Sequence, residues 1–251
     1  MNRLGLAIII PAWNEKENLD LLLPALKEVL VGMRVMAEIV VIDGGSRDGT
    51  REAAEKRGAR VILQTEPGYG GALRAGFAAT TASYIVTMDA DLSHRPVFLE
   101  EFWRRRDEAE VLIASRYVAG GRADMGWFRR LLSHILNKTY SRVLSLPIRD
   151  LSSGFRMYRR EVFAGLSPSA QDFDILEEIL IRVHAEGWRI LEVPFQYMAR
   201  GSGRSHAKLF KFGLALLRTL VRMWRLRNSV ESADYDYRAF DSPIWLQRYW
   251  Q

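Results

Sequence analysis

The chain has 251 residues, enough for a single α/β domain to bury a full core. Its 48% hydrophobic and 26% charged content excludes a disordered chain, and the absence of cysteine excludes disulfides, thiolate metal sites and a cysteine nucleophile. The net charge of +6 is local: Arg200, Arg204, Lys208, Lys211, Arg218, Arg222, Arg225 and Arg227 lie between Val193 and Val230, a stretch with no acidic residue, so the rest sums to about −2.

Met1 to Pro11 is too short for a secretory leader and is followed by Trp13-Asn14-Glu15, not by a small-residue cleavage site. No run of 18 apolar residues predicts a spanning helix. Leu6 to Ile10 is continuous and β-branched, so it predicts a strand ended by Pro11, and Glu15 to Leu30 has helical apolar spacing. The alternation repeats as strand 38–42, helix 48–57, strand 60–63, helix 70–79 and strand 84–88. Apolar strands separated by helices predict a mostly parallel sheet covered on both faces. Further on, 127–146 reads as a long helix, 155–158 as a short strand, 175–186 as a helix and 189–193 as a strand. The last predicted element is a basic amphipathic helix over 209–227, with Lys211, Arg218, Arg222 and Arg225 on one stripe. The expected division is a catalytic domain over 1–208 and an amphipathic helix with a tail over 209–251.

In parallel α/β sheets, ligands sit beyond the carboxyl ends of the strands. The residues there are Pro11-Ala12-Trp13-Asn14-Glu15, then Asp43-Gly44-Gly45-Ser46-Arg47-Asp48-Gly49-Thr50, then Asp89-Ala90-Asp91-Leu92-Ser93-His94. Asp89 and Asp91, two apart after a strand, point their carboxylates the same way. Paired hard oxygens suit Mg²⁺ or Mn²⁺, and Ser93 offers a third; the alternative is that Asp89 caps a helix and Asp91 is solvated. The 43–50 loop is either a cradle for a nucleoside or phosphate, or an Asx-rich turn. Trp13 either stacks on a nucleobase or packs on its neighbours.

Taken in order, P-A-W-N-E, D-G-G-S-R-D-G-T, D-A-D-L-S-H, S-R-Y and D-L-S-S-G-F-R-M-Y-R-R-E-V resemble the family 2 glycosyltransferases of the GT-A, Rossmann-like fold. The nearest branch comprises the dolichol-phosphate mannosyltransferases and their bacterial polyprenyl-phosphate relatives, and the resemblance spans roughly residues 6 to 210. It implies a nucleotide-sugar site at Pro11, Trp13, Glu15, Asp43, Gly44, Asp89, Ala90, Asp91, Arg200 and Lys208, with Lys208 or Arg204 standing in as the diphosphate ligand. It further implies a metal on Asp89, Asp91 and Ser93, Arg116 near the transferred sugar phosphates, and an acceptor phosphate gripped by Arg116, Arg129 and Ser133. Two positions depart from the pattern. Gly44 stands where a second aspartate is usual, leaving the base open between GDP- and UDP-linked donors, and His206 stands where a lysine is usual.

The implied reaction is an inverting transfer of a hexose, mannose or glucose, to a polyprenyl or dolichyl monophosphate. A lipid phosphate arrives anionic, so the catalytic task is positioning and charge stabilisation without a base. Asp150 stays open as either a general base or a structural turn residue; if it is a base, the acceptor is a glycan hydroxyl. The basic helix either lies on an anionic membrane or packs on the core. The expected location is peripheral, on the cytoplasmic face of a membrane, with an integral-membrane partner subunit and no nucleic acid. A non-catalytic nucleotide-sugar scaffold is the remaining alternative.

Overall fold

Strand β1 (Leu6–Ala12) sends its side chains alternately into two cores, Leu6, Ile8 and Ile10 into one and Ala7 and Ile9 into the other. Strand β2 (Ala37–Asp43) does the same with Ile39 and Val41 against Val40 and Ile42. Strands buried on both faces require helices on both, and that is what the computed structural model of the chain contains. It describes residues 4–124, 127–197 and 219–229.

Between β1 and β2 lies α1 (Lys16–Met33), followed by α2 (Thr50–Lys56), β3 (Arg60–Leu63), α3 (Gly68–Ala79) and β4 (Tyr84–Thr87). Then come α4 (Phe98–Arg105), β5 (Val111–Ser115), β6 (Arg122–Ala123), α5 (Trp127–Val143), β7 (Arg156–Arg159), α6 (Ile175–Ala185), β8 (Ile190–Pro194) and β9 (Gln196–Tyr197). The main sheet runs β3-β2-β1-β4-β7-β5-β8, and β6 pairs with β9 separately. Every pairing in the main sheet is parallel except those of β7, which is antiparallel to both β4 and β5. Helices α1, α2 and α4 cover one face with Leu19, Leu26, Ala54 and Phe102. Helices α3, α5 and α6 cover the other with Leu73, Phe77, Tyr140, Ile179 and Val183.

Several boundaries differ from expectation for local reasons. α1 runs three residues beyond Leu30 and stops where Arg34 takes a left-handed φ of 50°. α2 begins at Thr50, not Asp48, because Gly49 is left-handed at φ 89°. α5 ends at Val143, short of Leu146, with Ser145 at φ 49°. Helix α4, strand β5 and the small β6–β9 pair were not expected.

Of the predicted 209–227 helix, residues 219–229 are described and are helical. Met223 is buried in the core on the α3 side, and Arg222 bonds Asp174 at 3.0 Å. This part therefore packs on the body with one face, while Val221 and Trp224 remain exposed. The expected 208/209 domain boundary lies outside the described residues.

Candidate active site

The site begins where β1 outlasts β4. Pairing between them ends at Ile9 with Thr87, whereas β1 stays paired to β2 as far as Ala12. The Ile9 carbonyl accepts from the Met88 N–H at 3.1 Å, so Pro11, two residues on, turns its donor-less nitrogen to the side that β4 has left. With β2 and β3 on one side of β1 and β4 on the other, this is the point where strand order reverses, and a crevice opens there.

The loops after β1 and β2 form one wall because their side chains exchange backbone bonds. The Asn14 N–H donates to Ser46 Oγ at 2.8 Å, and the Arg47 N–H donates to Asn14 Oδ1 at 2.9 Å. Asp48 accepts from the Lys16 N–H at 3.1 Å and the Thr50 N–H at 3.0 Å, so one carboxylate serves the first turns of α1 and α2. Burial opposes its charge, but the bonds from Thr50 and Lys16 hold it below the usual carboxylate range. Asp43 is buried and accepts the Ser46 N–H at 3.0 Å, which closes the turn. Trp13 stands on this wall with 67% of its surface exposed and no ring partner among the described residues.

The opposite wall is acidic. Just past the end of β4, Met88 and Ala90 are buried in the core, while Asp89 is about one third exposed and Asp91 is buried. Leu92 adopts a left-handed φ of 63°, bending the chain so that the Ser93 N–H and hydroxyl both donate to Asp91 Oδ1, at 3.1 and 2.5 Å. His94, buried and stacked on Phe155 with ring centroids 4.8 Å apart, accepts the Asp89 N–H on Nδ1 at 3.0 Å. Tyr69 donates its hydroxyl to Asp89 Oδ1 at 3.4 Å. A Cβ at Gly154 would lie 3.4 Å from that oxygen and 2.8 Å from the tyrosine hydroxyl, so glycine keeps this corner open.

Arg116 follows β5 and is fixed by Asp150. Its Nε and backbone N–H donate to Asp150 Oδ2 at 2.8 and 2.9 Å, and Nη2 donates to Oδ1 at 2.6 Å and to Ser152 Oγ at 2.8 Å. Asp150 has no exposed surface. Burial disfavours the arginine charge, but the Asp150 carboxylate outweighs it, and the guanidinium is held more firmly protonated than usual. Behind the pair, Glu192 accepts the Asp150 and Arg149 N–H groups and the Ser115 hydroxyl at 2.9, 2.9 and 2.7 Å. Burial pushes its carboxyl up. Asn137 on α5 accepts the Leu151 N–H at 2.9 Å and donates to Ser152 Oγ at 3.2 Å. Ser133, one turn earlier, accepts the Tyr117 hydroxyl at 2.7 Å. Arg156 lies fully buried beneath the loop, donating to the carbonyls of Ser153, Leu176 and Leu151.

The expected residues thus fall into three groups. Asp89, Asp91 and Ser93 share one loop, and Tyr69 and Gly154 join them at Asp89. Pro11, Trp13, Glu15, Asp43 and Gly44 form the first wall, with Asp43 committed to its own turn. Arg116, Asp150 and Ser133 are linked through Ser152, Asn137 and Tyr117. The side chain of Arg129, and all of Arg200 and Lys208, lie outside the described residues. Tyr69, Gly154, Asn137 and Arg156 were missed, since their roles depend on partners far away in sequence; the only local signal was Gly154 and Arg156 within the quoted D-L-S-S-G-F-R segment.

The acidic loop fits a hard cation. Mg²⁺ takes one or two carboxylates from a protein and the rest of its shell from phosphate and water. Asp89, one third exposed, and Asp91, oriented by Ser93, offer such a pair. Among the described residues no group of three His, Cys, Asp or Glu gathers into a closed cage.

A mostly parallel sheet with an acidic pair at its switch point defines an α/β domain of the GT-A class. The chain belongs to glycosyl transferase family 2, whose model matches residues 7–166. It is 34% identical over 229 residues to a dolichol-phosphate mannosyltransferase of Pyrococcus furiosus, covering 88% of this chain and 63% of that protein, so it spans less than two thirds of that relative's length. It is also 34% identical over 244 residues to a polyprenol monophosphomannose synthase of Mycolicibacterium smegmatis, covering 90% and 89%. The fold matches that of glucosyl-3-phosphoglycerate synthase from Mycobacterium tuberculosis, solved with Mn²⁺, UDP and glucosyl-3-phosphoglycerate, at a TM-score of 0.70 and 21% identity, over 90% of this chain and 80% of that one.

Proposed function

We propose that the protein is an inverting hexosyltransferase that moves mannose or glucose from a GDP- or UDP-linked donor to a polyprenyl or dolichyl monophosphate. The two relatives named for dolichol and polyprenol phosphates support the acceptor class. The observation that carries the reading is the state of Asp150. Both of its oxygens accept from Arg116 and none of its surface is exposed, so it is not presented to an acceptor hydroxyl. A transferase without a base in that place needs an acceptor already ionised, and a phosphate monoester is one.

In this reading Asp89 and Asp91 hold Mg²⁺ or Mn²⁺, which supplies charge neutralisation on the departing nucleoside diphosphate. Trp13 and the 43–50 loop receive the nucleoside. Arg116, kept charged and aimed by Asp150, draws the acceptor phosphate toward the anomeric carbon, and Ser133 with Tyr117 borders its path. Attack and departure lie in line, so one displacement inverts the configuration. Catalysis comes from fixed charges aimed before the reactants arrive.

No described helix is long and apolar enough to cross a membrane. The lipid reading instead uses the outer stripe of α5, where Leu131 and Ile135 are half exposed and Lys138 and Arg142 follow. Apolar residues beside basic ones suit the boundary of an anionic bilayer. The reading includes attachment at the cytoplasmic face and an integral-membrane partner subunit.

The test is to incubate purified protein with Mn²⁺, polyprenyl phosphate and labelled uridine and guanosine diphosphate sugars, then extract with organic solvent. Label is expected in the organic phase, and Asp91→Ala should abolish it while leaving thermal unfolding nearly unchanged. An active Asp91→Ala protein would overturn the metal assignment. Transfer only to a glycan hydroxyl would overturn the acceptor.

A further inference from the structure

Gly44 is unexplained by its backbone. Among the described residues the left-handed glycines are 45, 49, 58, 68, 120 and 187, so φ at position 44 tolerates any side chain. What surrounds it is informative. A Cβ there would lie 3.3 Å from Gln64 Oε1, 3.5 Å from the Ala12 carbonyl and 3.5 Å from Trp13 Cβ. Glycine therefore forms a bare ledge between the base of the Trp13 side chain and one amide oxygen.

That oxygen cannot exchange places with its nitrogen. Gln64 Nε2 donates to the carbonyls of both Glu66 and Gly68, so a flipped amide would set an oxygen against two oxygens. The Gln64 backbone N–H is tied to the Asp43 carbonyl at 2.9 Å, which anchors the residue to the end of β2. The result is a neutral, oriented acceptor beside Trp13 at the nucleoside end of the crevice.

We propose that Gln64 reads the nucleobase: its Oε1 accepts the ring N–H of uracil (N3) or guanine (N1), while Trp13 carries the ring face. The inference rests on the nucleotide-sugar reading above. Uracil N3 and guanine N1 carry a proton on the edge that faces such an acceptor. Cytosine N3 and adenine N1 carry a lone pair there, and two acceptors facing each other repel. The site then favours a base with a ring N–H on that edge, since cytosine and adenine could offer only an exocyclic amino N–H and would have to shift to do so, and no carboxylate is needed at position 44.

The experiment measures binding of UDP, GDP, CDP and ADP, each with Mn²⁺, to the full chain by titration calorimetry, and repeats it with Gln64→Leu. Wild type should bind UDP or GDP about tenfold more tightly than CDP and ADP. Gln64→Leu should lose about tenfold for the preferred diphosphate and little for the others, so the discrimination collapses. Its thermal unfolding should match wild type, because Gln64 is only partly buried at the end of the edge strand β3. With the preferred donor sugar, KM should rise while kcat holds, since a base contact far from the anomeric carbon is made equally in ground and transition states. A Gln64→Leu protein that still discriminates as wild type does would overturn the assignment. Equal binding of all four diphosphates by wild type would overturn it too and leave the nucleotide-sugar reading standing, whereas binding of none would overturn both.

Discussion

Arg116 and Asp150 are joined by three hydrogen bonds, and the strength of that tie gives Asp150 a measurable role. Asp150→Asn keeps the shape but loses the charge, and it turns an N–H group toward a guanidinium that can only donate. Breaking a buried pair from one side costs about 3 kcal/mol. Denaturant unfolding should show that loss. Arg116 would also lose its aim, and removing one preoriented donor slows turnover about a hundredfold. The residual rate should keep the wild-type pH dependence. If Asp150 were instead the base for a hydroxyl acceptor, hydroxide would have to replace it, and the variant's rate would climb about tenfold per pH unit. At this scale Asp89 and Asp91 stood out because they come soon after an apolar strand, whereas Arg116 was pointed to only by the S-R-Y resemblance, since strand β5 before it was not expected. The state of Asp150 was not legible, because its partner lies 34 residues away.

Elements were legible where the apolar run was long or continuous. β1, β2 and β3 were foreseen because unbroken apolar strands leave few alternatives, and α1 and α6 because several turns repeat the same spacing. Helix α4 escaped notice: Phe98, Leu99 and Phe102 bury only a short stretch, and the other residues are mostly charged. The antiparallel run of β7 is not written in its own four residues; the chain reaches it across the top of the sheet, and direction follows from where it enters. The start of α3 shows what else local pattern hides. Gly68, Gly70 and Gly71 open the helix, and the Gly70 N–H donates to the Gln171 carbonyl at 2.6 Å, a contact no local pattern reveals. Side chains at positions 68 and 70 would collide with the carbonyls of Gln171 and Ala170. That segment is held in turn by Glu178, which accepts the Ser169 and Ala170 N–H groups. Gly70→Ala should therefore cost about 2 kcal/mol through overpacking and lower the melting temperature by about 5 °C. Activity should fall more than stability suggests, because Phe173 in the same segment stacks on Tyr69 at 4.5 Å, and Tyr69 bonds Asp89. A Gly70→Ala protein with wild-type melting and turnover would show that the two segments are not pressed together.

At the scale of the whole molecule, the inner side of α5 faces the site and its outer side carries the lipid argument. Ser133 and Asn137 look toward Arg116 through Tyr117 and Ser152, and Tyr140 and Leu144 pack into the core. Leu131 and Ile135, one turn apart, are each about half exposed at 50% and 51%. Their outer halves contribute little to folding, so Leu131→Ser with Ile135→Ser should leave unfolding within about 1 kcal/mol of wild type. A lipid acceptor sees them differently. A long polyprenyl phosphate must leave its tail in the bilayer while its head reaches Arg116, and two apolar side chains beside that path lower the cost of approach. A water-soluble, short-chain polyprenyl phosphate brings no bilayer with it. The double variant should thus transfer sugar normally to the short acceptor and at least several-fold more slowly to the long one in anionic vesicles. Sedimentation with those vesicles should weaken as well, and raising salt should weaken it further, since screening removes the contribution of Lys138 and Arg142. Equal losses on both acceptors would place the defect in the active site, and no loss on either would remove α5 from the membrane surface.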